Sequence, residues 1–249
     1  VLRADAMDLT GKTAIVTGGA VRIGRAISLA LADAGVNVAV HYAHSEAEAR
    51  RTVADAIGRG VRAVAVRADF NDPVRAAATV FEQTRQEFGE AEILINSAAI
   101  FEAGRLADVT EDQWDRHFNI NLKAPFFLTQ SFAAQLRLDE RGHVVHIADW
   151  RGTRPPADHA AYTLTKSALA AMTRSLAQDL APRIQVNAVA PGAILPPPGE
   201  PDSYLNRITE RIPLRRTGSP EDVTDAVLYL LRSDFITGEV LHVSGGEQL

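Results

Sequence analysis

Short β-branched apolar runs alternate with longer amphipathic stretches along the chain, which specifies an α/β protein with a single doubly wound parallel sheet. The runs are apolar almost throughout, as strands covered on both faces require. The 249 residues suffice for one large domain with its own core, and no repeat or linker divides them.

Thr13 to Thr17 (TAIVT) reads as the first strand, and Ile23 to Ala34 as a helix closed by Gly35. Val36 to Tyr42 is a second strand, Glu46 to Ile57 a helix, and Val61 to Ala68 a third strand. Pro73 to Phe88 is a helix with Asp72 as its cap and proline at its first position. Glu92 to Asn96 is a fourth strand. Thr110 to Leu136 reads as largely helical, with a break near Pro125. His143 to Ala148, Ile184 to Val189 and Val240 to Val243 complete the strands. Helices run from Asp158 to Leu180 and, after a Ser219-Pro220 cap, from Glu221 to Leu231. Pro191 to Pro213 is too long and too rich in proline and glycine for an ordinary loop, and reads as a lid over a ligand.

Composition excludes several classes. There is no cysteine, so disulfides, thiolate metal sites and cysteine nucleophiles are absent, which fits a reducing compartment. The net charge of -5 and the lack of a basic stripe speak against nucleic acid. No apolar run approaches the ~18 residues of a membrane span. Val1 to Asp8 are mixed and polar-interrupted, unlike a signal peptide, and read as a frayed start before Met7 or Asp8. A cytoplasmic location follows as an expectation. The seven histidines show no metal-ligand spacing, and His146, inside a strand, reads as a buried histidine rather than a base.

The first strand runs into Thr17-Gly18-Gly19-Ala20-Val21-Arg22-Ile23-Gly24 and then a helix. Glycines there let backbone amides approach a pyrophosphate at the helix N-terminus. Gly18, Arg22, Ile23 and Gly24 are therefore candidate dinucleotide contacts. The second strand ends at His41-Tyr42-Ala43-His44-Ser45, with no acid to hold ribose hydroxyls. His44, Ser45 and Arg22 can instead accommodate a 2′-phosphate, which favours NADPH; alternatively His44 and Ser45 cap the next helix. Asp69, followed by Phe70 at the end of the third strand, is placed to accept from an adenine amino group or to cap a turn.

Tyr162 and Lys166 stand four apart on a predicted helix and so share one face. A lysine ammonium near a tyrosine lowers the phenol pKa. Such a pair alone is common surface decoration; after the fifth strand of this fold it points to chemistry.

At these residues the chain resembles the short-chain dehydrogenase/reductase family over nearly its whole length. The likeness rests on the glycine turn, Asn96-Ser97-Ala98-Ala99, Asn121 in Asn119-Ile120-Asn121-Leu122, Tyr162 with Lys166, Pro191-Gly192 and Ile236-Thr237-Gly238. The resemblance implies that Tyr162 is the catalytic acid, that Lys166 holds the nicotinamide ribose, and that Asn121 anchors a proton-relay water. It implies cofactor contacts at His41, Tyr42, Phe70, Asn96, Ser97, Ala98, Pro191 and Gly192. It also implies a Rossmann-like sheet ordered 3-2-1-4-5-6-7 and a homotetramer paired through the helices bearing Asn121 and Tyr162.

The departures are informative. Asp149 stands thirteen residues before Tyr162, where the family usually has serine, and Arg22 replaces the middle glycine of the turn. Both resemble the pteridine reductase subgroup, as do Phe101 after the Asn96 stretch and His41-Tyr42 with Ser45. A serine hydroxyl donates to a carbonyl oxygen, whereas an ionised carboxylate only accepts, which suits a nitrogen heterocycle. Arg22 would bridge cofactor phosphate and substrate oxygen, and Phe101 would stack on a flat ring. The blander readings stay open: Asp149 as a degraded site or in a ketone reductase served by Tyr162 alone, Arg22 as a surface ion-pair partner, Phe101 as core, and Trp150 as pocket wall or core. Ala99, His44 and Ser244 depart from the subgroup or family pattern. The expectation is NADPH-dependent reduction of a 7,8-dihydropterin, possibly including dihydrofolate, to the tetrahydro form. A carbonyl reductase of the same family and a non-catalytic dinucleotide-binding protein are the alternatives.

Overall fold

A computed structural model describes residues 7–197, 199–201 and 203–249. The proposed frayed start at residues 1–6, and Pro198 and Asp202 of the proposed lid, lie outside the described residues. Seven parallel strands form one sheet in the order β3-β2-β1-β4-β5-β6-β7. They are β1 (Thr13–Val16), β2 (Asn37–Tyr42), β3 (Ala63–Arg67), β4 (Ile93–Asn96), β5 (Gly142–Ile147), β6 (Ile184–Pro191) and β7 (Val240–Val243). The register pairs Val16 with Val40 on one side and Ile95 on the other, so β1, β2 and β4 end together.

Alternation along each strand feeds two cores. Ala14, Val16, Val38, Val40, Ile93 and Ile95 face one side. Ile15, Ala39, Leu94, Val144 and Val186 face the other. The first side is covered by α1 (Arg22–Asp33), α2 (Glu46–Ile57) and α8 (Pro220–Arg232), and the second includes α3 (Pro73–Phe88), α5 (Ala124–Gln135) and α6 (Ala160–Leu180). Burial on both faces is why the strands read as unbroken apolar runs.

Two segments differ from expectation in ways that matter for the site. The stretch predicted as one helix to Leu136 consists of α4 (Glu111–Phe118), a π-helical turn (Asn119–Lys123) and α5. Pro125 has no N–H and lies four residues beyond Asn121, so it removes the ordinary helical donor to the Asn121 carbonyl. The ladder shifts there to five-residue pairing, with the Ala124 amide donating to the Asn119 carbonyl. The segment after β6 also contains a short helix, α7 (Ser203–Thr209), hidden among prolines. Asp72 precedes α3, but its side chain makes no capping bond; Pro73 opens the helix and the Asp72 carbonyl accepts from Ala76. At α8 the expected cap exists, with the Asp222 carboxylate accepting from the Ser219 amide at 2.8 Å.

Candidate active site

Thr17 ties the first turn to the fourth strand. Its hydroxyl accepts from the amides of Ser97 (2.9 Å) and Ala98 (3.0 Å) and reaches the Ile95 carbonyl at 3.3 Å. That brings Gly18 against Ala98. Gly18 has φ +61°, and a Cβ on it would lie 2.9 Å from the Ala98 Cα, so only glycine fits. A Cβ on Gly24 would lie 2.1 Å from the Gly18 carbonyl oxygen. Beyond these glycines α1 begins with no side-chain cap and no acid in its first turn, so its amides and dipole stay available to an anion. Ile23 packs on the core beneath the turn.

His41 and Phe70, expected as cofactor contacts, have their side chains behind this turn instead. His41 is 2% exposed. Its Nδ1 accepts from the Gly18 amide at 3.1 Å, its Nε2 donates to the Ala68 carbonyl at 3.1 Å, and its ring stacks on Phe70 at 4.3 Å. Burial pushes its pKa down to about 4, as a ring that accepts at Nδ1 must remain neutral. The His41 ring supports the glycine turn directly, and Phe70 packs against that ring. Asn96 likewise turns into the sheet, its amide 3.1 Å from the His146 Nδ1. His146 is fully buried, and burial lowers its pKa to about 3. Asp69 caps a turn by accepting from the Asn71 amide at 2.9 Å. Half-buried Tyr42 and Ser45 and exposed His44 border the end of β2, and the Ser45 hydroxyl makes no capping bond to α2.

Asp149, just past β5, meets α6. Tyr162 donates its hydroxyl to Asp149 Oδ2 at 2.7 Å, and the Arg151 amide donates to Oδ1 at 2.8 Å. Burial raises the Asp149 pKa, opposed by these two bonds and by the Lys166 and Arg151 charges. Burial also raises the Tyr162 pKa well above the ordinary phenol value, and the Asp149 charge and hydrogen bond add to it. This reverses the expectation that Lys166 lowers it. Lys166 donates to the Ile147 carbonyl at 2.8 Å, with its ammonium 5.6 Å from the Tyr162 ring centroid, while the phenol oxygen is held by a carboxylate. Burial lowers the Lys166 pKa to about 8, with Asp149 opposing.

Phe101 lies at this cluster rather than in the core. It meets Tyr162 edge-on at 4.7 Å and stacks on His159 at 4.1 Å. The Arg151 guanidinium lies 5.5 Å from both the Phe101 and Trp150 rings and is held by Asp158 at 2.7 Å. Half-buried Trp150 opens the 3₁₀ turn after Asp149 and so borders the site. Asn121 sets Phe101 indirectly: its amide accepts from the Ile100 amide at 2.9 Å and donates to the Ile100 carbonyl at 3.0 Å. It also reaches Thr165, next to Lys166, at 3.3 Å. On the far side Arg22, at φ +54°, donates to the Pro196 carbonyl at 2.6 Å, joining the glycine turn to the segment after β6 rather than to a surface carboxylate. Pro191 ends β6, and Gly192 follows beside Glu247.

The structure therefore assembles Asp149, Tyr162, Lys166 and Phe101 on one side and Gly18, Arg22, Gly24, Ser97 and Ala98 on the other. Sequence reasoning missed Thr17, Arg151, Asp158, His159 and Glu247. Thr17 ends the strand it was read in, and Arg151 lies two residues past Asp149; the other three offered no local signal. Among the described residues no group of three histidines or carboxylates is placed to hold a metal ion.

A family model described as enoyl-(acyl carrier protein) reductase matches residues 18–248. An uncharacterized oxidoreductase of Methylorubrum extorquens is 37% identical over 96% of this chain and 98% of its own length. The 3-oxoacyl-acyl-carrier-protein reductase of Staphylococcus epidermidis is 34% identical over 94% of this chain and 98% of its own. Among solved structures, the FolM alternative dihydrofolate reductase 1 of Brucella canis, complexed with NADP, superposes with a TM-score of 0.92 at 34% identity, covering 97% of this chain and 95% of that one. The sheet order, the glycine turn and the Tyr162–Lys166 helix agree with these likenesses, and the chain belongs to the short-chain dehydrogenase/reductase family.

Proposed function

We propose that the chain is an NADPH-dependent reductase of a 7,8-dihydropterin, with dihydrofolate as a further substrate. The observation that carries this reading is the Tyr162 hydroxyl donating to Asp149 at 2.7 Å. In a ketone reductase a serine in that place would donate to the substrate oxygen; a carboxylate there accepts. A pterin offers N–H donors and a ring nitrogen awaiting a proton. The FolM relative, solved with NADP, supports both the cofactor and the substrate class.

The residues present fit NADPH. The uncapped start of α1 and the crowded glycines suit the pyrophosphate, and the end of β2 offers Ser45 and His44 with no acid against a 2′-phosphate. Lys166, Ser97, Ala98, Pro191 and Gly192 would border the nicotinamide half. When bound, NADPH supplies the hydride that adds to the carbon of the C=N bond. The ring nitrogen takes its proton from the Asp149–Tyr162 pair, which solvent recharges. The raised Asp149 pKa makes the protonated pair accessible nearer neutrality, and Lys166 and Arg151 limit that rise. Phe101 holds the flat ring in place, and Arg22 with the 191–213 segment closes the mouth and excludes water.

A second reading has its own support: the likeness to 3-oxoacyl-acyl-carrier-protein reductase makes a ketoacyl thioester the rival substrate. Purified protein with NADPH is offered dihydrobiopterin, dihydrofolate and an acetoacetyl thioester in parallel, following absorbance loss. Turnover of the dihydropterin supports the proposal; turnover of the thioester alone assigns the rival.

A further inference from the structure

The residues from His242, near the end of β7, to Leu249 contact both ends of the segment that follows β6. At its first end, Gly192 donates to the Val243 carbonyl at 2.9 Å, and the Ala193 amide donates to the Glu247 carboxylate at 2.7 Å. At its far end, Leu214 donates to the Gly245 carbonyl at 3.1 Å. The fit is close on both sides. A Cβ on Gly192 would lie 2.1 Å from Glu247 Oε2, one on Gly245 2.7 Å from Ile212 Cγ2, and one on Gly246 2.8 Å from Pro213 Cγ. The two ends also meet each other, with Gly218 donating to the Ala193 carbonyl at 3.0 Å. The same stretch reaches the loop carrying the catalytic carboxylate: Arg154 donates to the Leu249 carbonyl, and Thr153 lies 2.9 Å from His242. Burial raises the Glu247 pKa and the Asp149 charge adds to it, while the bond from the Ala193 amide opposes the rise.

We propose that Glu247 is a positioning residue: by holding the Ala193 amide it fixes the turn that, on the cofactor placement proposed above, borders the nicotinamide half of the site, and so clasps residues 192–193 to residues 212–218. The device does not depend on which substrate is reduced. Removing the acceptor leaves the Ala193 amide without its partner and frees both ends of the segment to open locally.

Amide hydrogen exchange read by mass spectrometry on Glu247→Ala and Glu247→Gln, with NADPH affinity measured by fluorescence titration, tests this. In Glu247→Ala, peptides covering 191–196 and 212–218 exchange about tenfold faster. Peptides covering β1 and β5 keep their protection, which verifies folding, and the Kd for NADPH rises several-fold. Glu247→Gln, whose side-chain carbonyl still accepts from Ala193, restores both. Unchanged exchange in Glu247→Ala, a glutamine variant behaving like alanine, or faster exchange with unchanged NADPH affinity each overturns the proposal. None of these readouts uses the substrate, so the result is independent of the pterin assignment.

Discussion

The Tyr162 hydroxyl donates to a carboxylate, so its proton is not offered to a substrate while Asp149 is ionised. That couples the two titrations, and any pH profile reports the pair rather than either residue. Because the Asp149 pKa is raised, the protonated pair persists above the ordinary carboxylate range and is lost as pH rises through that raised value. The kcat/KM for dihydropterin should therefore fall with increasing pH, and Asp149→Asn should flatten that limb while lowering the rate. Tyr162→Phe should cost about 10²–10⁴-fold in kcat with NADPH binding retained, measured by single-turnover kinetics and fluorescence titration. Tyr162, Lys166 and Asp149 were legible in the sequence because their positions relative to one another carry the meaning. The direction of the Tyr162 shift was not, because it comes from burial and from the Asp149 carboxylate that holds the phenol oxygen, both set by the folded surroundings.

At the scale of elements, the β1–α1 turn is held from three sides: by Thr17 across to β4, by His41 from β2, and by the crowding of Gly24 on Gly18. Thr17→Val keeps the shape and removes the acceptor of two amides. It should cost about 1–3 kcal/mol in denaturant unfolding and weaken NADPH binding. Gly18→Ala should weaken NADPH more than it lowers stability, because it forces a side chain into positive φ and against Ala98; titration and thermal melts of one preparation separate the two. The seven strands and most of the helices were legible, since apolar period and proline or glycine punctuation are local signals. The π-helical turn was visible only as a break near Pro125. Its location depends on the backbone partner that Pro125 denies to Asn121, and α7 was masked by the prolines around it.

At the scale of the whole molecule, three buried histidines make the fold acid-sensitive. Burial lowers the pKa of His41 and His143 to about 4 and of His146 to about 3, while the unfolded chain binds protons near 6.5. A depressed folded-state pKa gives stability that is present above 6.5 and lost as pH falls toward the folded values. Each histidine should cost about 2 kcal/mol by pH 5, so the melting temperature should drop steeply between pH 7 and 5; His41→Asn should make that drop shallower. A groove lined by Phe118, Leu122, Phe126, Ala168 and Met172 runs over the helices bearing Asn121 and Tyr162. Pairing of copies over this groove, which the family resemblance implies, predicts that Phe126→Glu lowers the mass in analytical ultracentrifugation. This groove was not legible residue by residue, because it is assembled from α4, the π-helical turn, α5 and α6, which meet only in the fold.

The exchange Asp149→Ser decides whether the carboxylate delivers the proton, because it restores a hydroxyl donor and removes the carboxylate in one step. Rates with dihydrobiopterin and with the acetoacetyl thioester are measured for both proteins under the same NADPH concentration. The serine variant should lose dihydropterin turnover by about 10²-fold or more and gain on the thioester. A variant that keeps its dihydropterin rate would contradict it, since Asp149 would then play no part in delivering the proton.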